Sequence, residues 1–245
     1  ENGLPSFPVA SRSEWIAMLA AFAMLAALVA AVTGSRAFPV PHLTALLIGG
    51  IVAAAPWFNG LAGGQDRPFF ADMTVADQLG LGLVVAFGYL ALHDVAERRH
   101  GMTLPLAMML AFGALAPLAD QAGWISLTFL AIVASATSFI TALCARFGGS
   151  PSIGRGGLIA SVLLLAVLPV AGYRQTFHEI PWWCFLLIAG SPLVLLPLEI
   201  KLIDKLPPWG AATLRLSAVA ILIALGLLYG LSGGEPEFDP MGEYQ

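Results

Sequence analysis

The sequence predicts an all-α, polytopic integral membrane protein with eight transmembrane helices. Three observations carry this prediction. Eight long apolar stretches, separated by short polar breaks, fill most of the 245 residues. Hydrophobic residues make up 58% of the chain and charged ones 11%, with a mean hydropathy of +0.85; a soluble domain carries about 25% charged residues. Basic residues also concentrate on alternate loops. A hydrocarbon core about 30 Å thick takes roughly 20 apolar residues per helix. Helices are the default there because each closes its own backbone hydrogen bonds. The period-two alternation of a membrane barrel is absent.

Taken in order, residues 1–14 hold Pro5 and Pro8 with little apolar pattern and are expected to form an extended outer arm. The chain starts at Glu1 rather than at a methionine, which suggests processing or trimming, and no signal-peptide pattern precedes Trp15. A single membrane domain is expected over 15–231, with spans at 15–33, 41–58, 79–96, 103–119, 124–145, 157–173, 182–203 and 209–231. Span one is rich in alanine (Ala20, Ala23, Ala27), the composition of a closely packed membrane helix. The longest loop, 59–78, contains Gly63-Gly64 and Arg67-Pro68 steps that oppose a continuous helix. Its Phe69 and Phe70 are expected to lie on the interface or to grip a partner.

Span five is the most hydroxylated, with Ser126, Thr128, Ser135, Thr137, Ser138 and Thr141. Such side chains either line a wet path or permit close helix packing, and packing is the favoured reading. In span seven, Gly190-Ser191 is followed by Pro192 and Pro197. Each proline removes a helical hydrogen bond and crowds the preceding turn, so a kink is expected near mid-bilayer. Carbonyls freed by such a break serve as ion or substrate ligands in some transporters. Residues 232–245 form an acidic outer tail whose Phe238 and Tyr244 are expected partner contacts.

Sidedness follows from the charges. Of eleven basic residues, eight flank the loops after odd-numbered spans: Arg36, Arg98, Arg99, Arg146, Arg155, Lys201, Lys205 and Arg215. Only Arg12, Arg67 and Arg174 lie on the other side. The positive-inside rule places the first set in the cytoplasm and both termini outside. Five of the six tryptophans then fall at outer helix ends, as an interfacial belt requires, and eleven of the fifteen acidic residues are also outer. The default membrane is a bacterial inner (plasma) membrane. Cys144 and Cys184 fall near opposite ends of their spans, too far apart for a disulfide.

A faint internal repeat is present. Arg67, Phe70 and Asp72 recur as Arg174, Phe177 and Glu179, each 107 positions later. A 4+4 arrangement of two parallel bundles would produce this; biased composition would produce it equally well.

Ionisable residues inside spans are expensive and therefore functional candidates. They cluster near the inner face as His93, Asp94 and Glu97 on span three, Glu199 on span seven and Arg215 on span eight. Glu199 and Arg215 fall at similar depth in an antiparallel hairpin and are expected to pair. His93 and Glu97 share a helix face at i, i+4. His42 and His93 form the one pair placed to ligate a b-type haem, but the reading adopted is neutral interfacial histidines and no cofactor. No spaced motif supplies the three or four ligands of a zinc site.

The fragments HDVAERR and EIKL resemble, over about a dozen residues, the two catalytic segments of prepilin peptidases. The Gly-x-Gly-Asp motif is missing, and Glu199 follows Pro197-Leu198 instead, so the resemblance implies no assignment. There is no P-loop, no Gly-x-Ser-x-Gly elbow and no His-Glu-x-x-His. No basic, aromatic-laced surface for nucleic acid is present either. The favoured function is a non-catalytic subunit of a larger membrane assembly, embedded in lipid among other membrane subunits. The alternatives are a small-molecule or ion transporter using kinked span seven and the Glu199/Arg215 pair, and a membrane-embedded enzyme acting at the inner face.

Overall fold

The computed structural model describes residues 42, 44–50, 74–98, 101–123, 125–147, 155–174, 180–198 and 206–232. Among these residues the chain is helical apart from short turns and connections, with no strand. Residues 42 and 44–50 form the described part of span two. The helices that follow are α1 (Val75–Arg98), α2 (Thr103–Gln121), α3 (Ile125–Phe147), α4 (Arg155–Arg174), α5 (Trp182–Gly190), a 3-10 segment (Ser191–Leu195) and α6 (Pro208–Ser232). Span one, the 59–73 stretch and the acidic tail lie outside the described residues, and the arm and tail boundaries with them.

Among the described residues four helices are long and apolar enough to cross a membrane: Gln78–Glu97, Thr103–Gln121, Ile125–Phe147 and Pro208–Ser232. Two shorter apolar stretches, Gly157–Ala166 and Trp182–Leu195, accompany them. The second gains reach from its geometry. Nine α-helical residues at about 1.5 Å each and five 3-10 residues at about 2.0 Å each extend roughly 24 Å.

The central helix is α2, which packs against α3, α4, α5, the 3-10 segment and α6. It is correspondingly the most enclosed of the four long helices, with 61% of its apolar window buried against 28% for α3 and for α6. The turn between α2 and α3 is short. Ala122 donates its N–H to the Leu118 carbonyl at 2.9 Å, and Gly123 donates to Asp120 at 2.8 Å. Gly123 has φ of 80°, a conformation that glycine adopts without steric penalty.

The resulting helical hairpin is close-packed because α3 turns a face of small side chains inward. Leu127, Ala131, Ala134, Ser138 and Ala142 recur every three or four residues, and only the first is large. Ser135 reaches across the interface and donates to the Met109 carbonyl at 2.9 Å. Small interfacial residues let membrane helices approach closely where lipid supplies no hydrophobic drive for association.

The buried face of α6 is one stripe: Ala211, Arg215, Val219, Ile223, Gly226 and Gly230. A Cβ on Gly230 would lie 2.6 Å from Leu118 Cδ2, so the C-terminal ends of α2 and α6 meet and the two helices run parallel. The same position lies near Ile180 and Cys184, so α5 runs antiparallel to α6. Residues 44–50 approach α1 equally closely, since a Cβ on Gly49 would sit 2.5 Å from the Gly82 carbonyl oxygen.

Candidate functional site

The polar side chains buried among the described residues are Gln78, His93, Ser138, Ser191 and Arg215. Two of them are ionisable, and both lie in the half of the bundle where α1 ends and α2 and α6 begin. His93 is five residues before Arg98, the last residue of α1. Arg215 is seven residues after Pro208, the first residue of α6. Both are therefore on the order of 10 Å from their helix ends.

Two neighbours of His93 come from its own helix. The buried Tyr89 ring stacks on the imidazole, with centroids 5.7 Å apart and planes inclined by 11°. On the next turn, Glu97 Oε1 lies 3.2 Å from His93 Nε2, an ion-pair distance off the line of a hydrogen bond. Spacing of i, i+4 on both sides builds a column Tyr89–His93–Glu97 along one face. The column runs from a residue 1% exposed to one whose side chain is 58% exposed. Asp94 is half-buried and lies about 100° around the helix from His93. His42, at the start of span two, is exposed. Among the described residues no three His, Cys, Asp or Glu side chains converge as a metal site requires.

Arg215 is buried on the inward stripe of α6. Glu199 lies outside the described residues, as does the pairing expected for it. The same holds for Phe69, Phe70, Phe238 and Tyr244.

The break in span seven is described as far as residue 198. The α-helix ends at Gly190 and continues as a 3-10 turn through Leu195, followed by a turn over 196–198. Pro192 lacks the N–H that would bond the Ile188 carbonyl in an α-helix. Ser191 takes that carbonyl instead, through its backbone N–H and through its hydroxyl at 2.8 Å. Pro197 would likewise leave the Leu193 carbonyl without a donor, and Leu196 N–H bonds it at 3.0 Å. Both carbonyls opposite the prolines are thus engaged within the segment.

The hydroxyls of span five divide in the same way. Thr137, Ser138 and Thr141 each donate to the carbonyl four residues back, at 2.8 Å. Ser135 instead crosses to α2. Tyr89 and the Gly226-x-x-x-Gly230 pair were not singled out from the sequence. Both carried a signal: an aromatic four residues before a buried histidine, and two glycines four apart inside an apolar span. Cys144 is exposed, Cys184 is buried, and both are free thiols.

No protein-family model matches this chain, and no curated protein or solved structure matches it.

Proposed function

We propose that this chain is a non-catalytic integral membrane subunit of a larger membrane assembly, crossing a bacterial inner membrane eight times with both termini outside. The observation that carries the reading is the self-contained helix break. A proline-broken helix at membrane depth is the feature that most favours transport, yet the carbonyls of Ile188 and Leu193 are spent on Ser191 and Leu196. Close approach of Ile188 to Gly226, and of Leu118 to Gly230, adds an interior in which side chains fit directly against helix backbone. Partner contacts are assigned to the outer side, to Phe69 and Phe70 of the long loop and to Phe238 and Tyr244 of the acidic tail. The 4+4 parallel repeat is part of the same proposal.

Purification in mild detergent tests it. Stoichiometric partner chains should accompany the protein, and a monodisperse lone chain would overturn the reading.

One observation favours a second reading. His93 and Arg215 place two ionisable side chains inside an apolar bundle, each less than 10% exposed, and intramembrane ionisable residues commonly mark ion or substrate routes. On that reading, reconstituted vesicles carry a flux that Glu199→Gln or Arg215→Gln abolishes.

A further inference from the structure

The exposed face of α6 is bounded by two aromatic residues. Trp209 and Tyr229 are 72% and 52% exposed and lie 20 residues apart on one uninterrupted helix. At about 1.5 Å per residue their Cα atoms are roughly 30 Å apart, which is about the thickness of a hydrocarbon core. Tyr229 is also braced: Trp183 at the start of α5 meets it edge to face, with centroids 5.2 Å apart.

A second helix repeats the measurement. From Ile125 to Phe147, α3 covers 23 residues, and its end Cα atoms are on the order of 33 Å apart. Phe147 is 80% exposed, with the Arg146 guanidinium 5.9 Å from its ring centroid. Because α3 returns antiparallel to α2, and α2 runs parallel to α6, Phe147 and Trp209 belong to the same end of the bundle. Between the two ends the outward surfaces are largely apolar. Thr137, Thr141 and Thr213, which face outward there, turn their hydroxyl protons back to the carbonyls of Val133, Thr137 and Trp209. A hydroxyl so engaged has no donor left to satisfy, which suits contact with hydrocarbon.

We infer that lipid acyl chains cover the outward faces of α3 and α6, and that the hydrocarbon slab runs from Trp209 and Arg146–Phe147 at one end to Trp183–Tyr229 at the other. Tryptophan and tyrosine settle at the boundary because an apolar ring and a polar tip are both accommodated there. Arginine extends its head to the same level. The placement puts Arg215, six residues beyond Trp209, about 9 Å inside the hydrocarbon boundary and shielded by protein. The 3-10 segment then falls near mid-slab, because Trp183 is eight residues before Ser191. The inference is independent of whether partners bind the outer loop or tail.

The full chain in phosphatidylcholine nanodiscs tests it, with Cys144→Ser and Cys184→Ala as background and single Trp209→Cys, Ile221→Cys and Tyr229→Cys substitutions carrying nitroxide labels. At Ile221, collision with oxygen should exceed collision with a water-soluble nickel chelate several-fold. At 209 and 229 the balance should shift towards the chelate. Chelate access at 221 would move the slab, and shielding of 221 from both reagents would put protein rather than lipid on α6; either result overturns the inference. The otherwise unsubstituted chain supplies a second readout. Fluorescence lost on Trp209→Phe should be quenched more by lipids brominated near the headgroup than by lipids brominated near the chain end, and the reverse order would also overturn it.

Discussion

Gly226 faces Ile188 so closely that a Cβ there would lie 2.8 Å from Ile188 Cγ1, and 3.1 Å from the Cys184 carbonyl oxygen. The missing side chain is what lets α6 seat against α5 one turn before the helix breaks. Gly230 presents a contrast. Its Cβ would meet Leu118 Cδ2 at 2.6 Å, but that methyl ends a rotatable side chain, and the next atom is 3.6 Å away.

Gly226→Ala should therefore destabilise by about 1–3 kcal/mol, the usual cost of overpacking a tight interior. Gly230→Ala should cost less, because Leu118 has a way to yield. Thermal unfolding of both variants in the same detergent gives the order. Equal losses, or a larger loss at 230, would contradict a backbone-limited contact at 226.

The break at Ser191–Pro192 gives a coupled prediction. Ser191→Ala removes one of two donors to the Ile188 carbonyl and leaves the backbone N–H in place. Hydrogen bonds inside membrane proteins average about 0.6 kcal/mol in double-mutant cycles, so a loss of that order is expected. Pro192→Ala restores an N–H that can bond the same carbonyl. In the Pro192→Ala background, Ser191→Ala should then cost close to nothing. The difference between the two backgrounds is the coupling energy, and a cycle that closes at zero would mean that the hydroxyl does not compensate for the proline.

How much of this could be read from residue order differs by feature. The predicted ranges 103–119, 124–145 and 209–231 match α2, α3 and α6 to within two residues at each end. Apolar length alone fixes such boundaries in lipid. Span three starts four residues earlier than its range, because Val75 and Ala76 continue the helix beyond Asp77 and Gln78. The position of the break was legible in Pro192, and so was the serine beside it. The direction of the hydroxyls was not: Thr137, Ser138 and Thr141 carry hydroxyls as Ser135 does, and the neighbour across the interface is what lets Ser135 bridge to α2. Gly226 was hidden for the same reason, since its role depends on which helix lies opposite. His93 and Arg215 were singled out as costly residues, and the stacking partner Tyr89 emerges only when the face of α1 that is buried is known.

The Tyr89–His93–Glu97 column predicts a gradient along α1. Tyr89 is fully enclosed, and truncation to alanine leaves a cavity and removes the ring stacked on the imidazole. A loss of about 3–5 kcal/mol is expected from the behaviour of large aromatic side chains in cores. Tyr89→Phe keeps the ring and should be much milder. Glu97 sits at the exposed end of the column, and Glu97→Gln should change stability by less than about 1 kcal/mol, as exposed pairs do. Unfolding of the three variants under one condition tests the gradient. A Glu97→Gln loss as large as that of Tyr89→Ala would mean that the contact with Glu97, rather than the stack, holds His93.

The hairpin of α2 and α3 yields the last prediction. Ser135 Oγ lies 2.9 Å from the Met109 carbonyl oxygen, and a Cβ on Gly113 would sit 3.3 Å from that same Oγ. Ser135 thus occupies a slot made by a glycine one turn along α2. Gly113→Ala crowds the hydroxyl by a few tenths of an ångström, and Ser135→Ala removes both the bond and the crowding. Ser135→Ala alone should cost about 0.6 kcal/mol, within the range measured for interhelical bonds in membranes. Gly113→Ala should be more harmful with Ser135 present than in the Ser135→Ala background, because in that background the added methyl has nothing to displace. A double-mutant cycle by unfolding in detergent measures the difference. Additive losses would show that Gly113 and Ser135 do not share the slot, and that α2 and α3 are held by their alanine face alone.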